Sequence, residues 1–102
     1  MQPELTPEQP RWYLSPREVV LKLEVIKKGP FEEEVAILIR LNGESKTAFV
    51  PLSEVDEDKK TVRAFALGEI GNLVLVELPS GSMGKTLLQM NPVTLKEIEV
   101  AK

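Results

Sequence analysis

Lys85 and Thr86, preceded by Gly84 and by the turn Pro79-Ser80-Gly81-Ser82-Met83, come nearest in type and order to a chemical device. An apolar strand, a glycine-rich turn and a Gly-Lys-Thr triplet are how a P-loop cradles nucleotide phosphates. Backbone N–H groups surround the phosphate, the lysine adds charge and the hydroxyl reaches Mg²⁺. That pattern needs a glycine at the position occupied here by Pro79. Proline offers no N–H and fixes φ near about −65°, so the backbone cannot wrap where it must. Gly81 comes too late to take over, and Pro92 stops any following helix within about two turns. The two aspartates, Asp56 and Asp58, sit in a polar stretch and not at the end of an apolar strand, where a Mg²⁺-holding carboxylate belongs. The stretch therefore reads as a hairpin loop: Pro79 ends one strand and Lys85 begins the next. A nucleotide- or anion-binding regulator acting through residues 79–86 is kept as a third functional reading.

Other chemistry is bounded by what the chain lacks. It has no cysteine and no histidine, which removes disulfides, thiol nucleophiles, imidazole bases and thiolate or imidazole metal sites. Glu32, Glu33 and Glu34 would alternate faces in an extended segment, and Asp56, Glu57 and Asp58 lack the glycine-punctuated spacing of a calcium loop. Lys59 and Lys60 follow at once and offset their charge. No residue is assigned a catalytic, cofactor-binding or metal-ligating role, and no cofactor is expected.

Two kinds of contact remain. Arg11, Trp12 and Tyr13, followed by Leu14, form a short patch of the residue types that dominate protein-binding hot spots. Met83 and Lys85 add a second set of contact residues on the Gly/Ser loop. The leading expectation is a small non-enzymatic protein-interaction or adaptor module using Arg11, Trp12, Tyr13, Met83 and Lys85, with a protein partner. The alternative is an OB- or SH3-like nucleic-acid binder built from Phe49, Phe65, Lys46, Arg63 and Lys85, with Arg40 nearby. A net charge of −3 disfavours it, and the two phenylalanines most simply fill a core.

The elements that must position these residues are mainly strands. Valine, isoleucine and leucine alternate along Val35, Ile37, Ile39 and Leu41, and Asn42-Gly43 turns the chain into Ser45–Leu52. Pro51 marks an edge or the end of that strand. Residues 61–67 and 72–78 form a second hairpin across Gly68-Glu69-Ile70-Gly71, and residues 53–60 form a polar connector. Residues 16–28 carry helix-capping signals at Ser15, Pro16 and Glu18, yet Val19, Leu21, Leu23 and Val25 alternate. A strand is favoured there, with a helix over about 16–28 as the α+β alternative. Residues 85–90 read as a sixth strand, and those after Pro92 as a seventh or as one helical turn.

The fold expected is thus all-β: a small antiparallel barrel or sandwich of six to seven short strands, with closure favoured because it removes exposed edges. Residues 1–14, with Pro3, Pro7 and Pro10, read as an extended Pro-rich arm, and 15–102 as a single β domain. A chain of 102 residues that is 42% hydrophobic and 28% charged has the size and composition of one globular domain. No run approaches the ~20 apolar residues of a membrane helix. The N-terminus has no signal-peptide pattern, so no membrane and a cytoplasmic location are expected. Abundant Glu and Lys with few Asn and Gln hint at a thermophile. A homodimer made by edge-strand pairing is also compatible with such a fold.

Overall fold

Period-two alternation wins over the helix-capping signals in residues 16–28, because a helix would scatter Val19, Leu21 and Leu23 around its circumference while a strand hides them on one face. The computed structural model, which describes residues 9–41, 43–81 and 84–100, has β1 at Arg11–Lys22 and β2 at Val25–Lys28. Six further strands follow: β3 Glu34–Leu41, β4 Glu44–Pro51, β5 Val55–Asp56, β6 Thr61–Ile70, β7 Leu73–Glu77 and β8 Leu87–Met90. A 3-10 turn spans Leu52–Glu54 and the helix α1 spans Pro92–Ile98. Among these elements no helix is long and apolar enough to cross a membrane.

The strands form two antiparallel sheets, one in the order β1-β6-β7-β8 with β5 beside β6, the other in the order β2-β3-β4. The chain changes sheet within one peptide unit. The Leu23 N–H donates to the Lys60 carbonyl at 2.8 Å, and the next N–H, that of Glu24, donates to Leu38 of β3 at 2.9 Å. The segment expected as one strand is therefore two, in different sheets.

Buried residues of both sheets make one core. Val19, Leu21, Val62, Ala64, Ala66, Val74, Val76, Leu88 and Met90 come from the larger sheet, and Val35, Ile37, Ile39, Leu41, Ala48 and Val50 from the smaller. Cross-strand partners share a face, so Val19 against Ala64 and Leu21 against Val62 fix the inward side of β1 and β6. The sandwich expectation holds and closure into a barrel does not: no ladder joins the edges of β4 and β8.

Several local expectations are refined. Strand β1 starts at Arg11, inside the segment read as an arm, since Arg11 and Trp12 pair with Glu69 and Gly68. Asn42 lies outside the described residues, and Leu41 pairing Glu44 gives the two-residue loop that Asn-Gly predicts. Pro51 is both the last residue of β4 and on an edge strand. The four-residue link expected after residue 67 is shorter: β6 runs on to Ile70, and Gly71, at φ 58°, opens a two-residue turn. A bulge between Ala66 and Gly68 absorbs the extra length. The polar connector is ordered by Asp56, whose Oδ1 accepts from the Lys59 N–H at 3.0 Å.

After β8, Asn91 caps α1 by accepting from the Thr94 N–H at 2.8 Å, and Pro92 takes the first helical position. Of the two readings after Pro92, a seventh strand or one helical turn, the helical one holds, over the seven residues Pro92–Ile98. Leu95 enters the core, and the chain returns to β1 where the Val100 N–H donates to the Val20 carbonyl at 2.7 Å.

Candidate functional site

On β1 the ladder to β6 holds at Arg11 and Trp12, slips, and resumes at Arg17. The slip covers Tyr13 to Pro16, and proline at its end has no N–H to donate. Alternation across this bulge turns Tyr13 inward, where it packs half-buried against the core. Its ring carries the Arg17 guanidinium carbon 4.1 Å from its centroid, within cation–π range. Trp12 and Leu14 point the other way and stay exposed, at 62% and 107%. Arg11 reaches Glu69 at 3.4 Å, with its side chain 80% exposed, so this pair guides orientation more than it stabilises.

Gly68 lets this segment lie close to β6. A Cβ there would meet the Arg11 carbonyl oxygen at 2.5 Å and the Trp12 Cα at 2.9 Å, both backbone atoms that cannot turn aside. Gly68→Ala is therefore expected to release Arg11 and Trp12 from the ladder without global unfolding. Amide exchange should rise at those N–H groups of Arg11, Trp12 and Glu69 that join β1 to β6, while the unfolding midpoint moves little.

Beyond Trp12, the outer face of the larger sheet carries Phe65 at 37% exposure, between Glu18 of β1 and Glu77 of β7, and then Leu87 of β8 at 59%. Phe65 is outward because its neighbours Ala64 and Ala66 are the inward residues of β6. Phe49 is half-buried on β4, opposite Ala36. The expectation that both phenylalanines fill the core is corrected by this parity. They also lie on different sheets, so no single face gathers them with Lys46. Arg63 is held by Glu54 at 3.0 Å and by Glu18 at 3.2 Å.

The described residues on either side of the Gly/Ser loop pair as a hairpin. The Gly84 N–H donates to the Gly81 carbonyl at 3.0 Å, the Leu78 N–H to Thr86 at 2.9 Å, and a strand follows, not a helix. No helix N-terminus stands behind Gly84-Lys85-Thr86 to receive a phosphate. Lys85 is 67% exposed with its Nζ 3.9 Å from Glu77 Oε2. It belongs to the opposite margin of the sheet from Trp12, with β6 and β7 between. Met83 lies outside the described residues.

The structure thus brings Arg11, Trp12 and Tyr13 together, with Tyr13 as the anchor, and sets Lys85 apart. Sequence reasoning set Leu14 beside the patch without naming it a contact residue, offered Phe65 only to the nucleic-acid alternative, and left out Leu87. The signal for Leu87 was present, since only one member of the doublet Leu87-Leu88 can face the core. Among the described residues no three metal-capable side chains converge. Arg40 is held above its ordinary value, first by its hydrogen bond to Glu24 at 2.8 Å and then by that carboxylate's charge, which leaves it a cation at any working pH. No protein-family model, curated protein or solved structure matches the chain.

Proposed function

We propose that the chain is a non-enzymatic protein-interaction module that docks a protein partner on the Arg11–Leu14 segment and the adjoining outer face of the larger sheet. The observation that carries this reading is the exposure of Trp12 and Leu14, 62% and 107%, on a bulged stretch fixed from behind by Tyr13. A large aromatic with an adjacent arginine, presented on a rigid β scaffold, has the composition of a binding hot spot. Its ordering cost is low, because Tyr13 and the Arg11 and Trp12 ladder positions already hold the backbone. Lys85 lies at the other margin and would contribute only to a partner broad enough to cross the sheet.

Trp12→Ala is expected to weaken capture of the partner by about 30-fold, as truncation of a hot-spot tryptophan does. Thermal unfolding should be unchanged within a degree or two, since so exposed a side chain contributes little to the core. Trp12 is the single tryptophan of the chain. Its fluorescence should therefore shift to the blue when a lysate fraction containing the partner is added. Equal retention of every bound protein by wild type and Trp12→Ala would reject the reading.

A further inference from the structure

We infer that β8 is the edge through which two copies of this chain pair. Each sheet of an open sandwich presents edges, and among the described residues four of the five are guarded by the devices that block strand pairing. Strand β1 bulges between Trp12 and Arg17, carries Pro16, and is covered further along by the Val100 hydrogen bond to Val20. Strand β2 places Lys27 and Lys28 on four residues, and β5 is only two residues long. Strand β4 has Lys46 on the inward-facing side of its ladder, opposite Ile39, and Gly81 lies directly against its Phe49 carbonyl. Strand β8, Leu87-Leu88-Gln89-Met90, has no charge, no proline and no bulge. Among the described residues β8 pairs only with β7, and an opening of about 450 Å³ lies between it and β4.

The ladder phase says which groups are offered. Thr86 accepts from the Leu78 N–H, so by antiparallel alternation Leu88 and Met90 also bond to β7, and Leu87 and Gln89 turn N–H and C=O outward. A two-fold axis beside Leu88 sets Leu87 opposite Gln89 of the other copy and Gln89 opposite its Leu87. This register uses all of those outward groups at once. It also places Leu88 beside Leu88 on the inward face, extending the core from one copy to the next. Lys85 then faces Asn91, so no like charges meet. A second copy fits the edge better than the chain's own N-terminal residues, whose Pro3 and Pro7 cannot donate to a ladder.

Sedimentation velocity from micromolar to millimolar protein tests this. The wild type should pass from monomer to dimer as concentration rises, and the Leu87 and Gln89 amides should gain exchange protection over the same range. Gln89→Pro removes a donor that makes no bond within the protomer, and Leu87→Lys puts charge on an exposed edge. Each should raise the dissociation constant by about tenfold or more, while far-ultraviolet circular dichroism stays unchanged. A wild type that remains monomeric at millimolar concentration overturns the inference. So does a dimer that both variants retain, or protection of Leu87 and Gln89 that appears only with an added extended peptide.

Discussion

Leu21→Ala should lower the unfolding free energy by about 2–5 kcal/mol, the range seen when a fully buried leucine is truncated. Leu21 is fully buried, pairs with Val62 across the β1–β6 ladder, and meets Glu99 through an isolated bridge on its other side. The lost methyl groups therefore leave a gap bounded by two pieces of backbone already tied to β1, and such a site cannot collapse easily. For a domain of this size the loss is a large fraction of the total stability. Urea unfolding followed by circular dichroism should show a lower midpoint with an unchanged slope. A shift below 1 kcal/mol would mean that the two sheets are less tightly joined at this position than its burial indicates.

Gly81→Ala is the second. Gly81, in the stretch that resembled a phosphate cradle, instead lies flat on β4, where an added Cβ would meet the Phe49 carbonyl oxygen directly. That Cβ would also come within 2.6 Å of the Phe49 carbonyl carbon and 3.2 Å of Glu34 Oε2. Nothing flexible can move away from the first two, so the loop must lift. A cost of about 1–3 kcal/mol is expected, as for overpacking elsewhere in protein interiors. The lifted loop should leave the Phe49 carbonyl to water, which infrared spectroscopy of a ¹³C-labelled Phe49 carbonyl would register. Unchanged stability and an unchanged carbonyl band would show that Gly81 adapts without leaving β4.

Much of the fold was legible because alternation reports which residues are hidden. Ile37 and Ile39, Val62 and Ala64, and the turn after Leu41 follow from period and turn chemistry alone. Alternation does not report which strand a hidden face meets. Lys22 and Val25 look continuous in sequence, and only the hydrogen bonds of Leu23 and Glu24 assign them to separate sheets. The same limit affected the phenylalanines. Phe65 is outward because of the parity of β6, and a single-residue bulge at Leu67 resets that parity for everything beyond. For the candidate site, the grouping of Arg11, Trp12 and Tyr13 was visible as composition. That Tyr13 turns in while Leu14 turns out depends on the β1 bulge, which has no signature except Pro16.

The pairing of Arg11 with Glu69 spans 58 residues of sequence, whereas the β3–β4 and β6–β7 hairpins close over two-residue turns. Chain closure over so long a separation costs more entropy and comes later. By that cost the two hairpins are expected to form before β1 pairs along the edge of β6. With only two ladder positions beyond the bulge, the Trp12 end is expected to dock last. The segment proposed to meet a partner is thus the last stretch of β1 to be laid against β6, and once paired and backed by Tyr13 it offers a partner a backbone already in place.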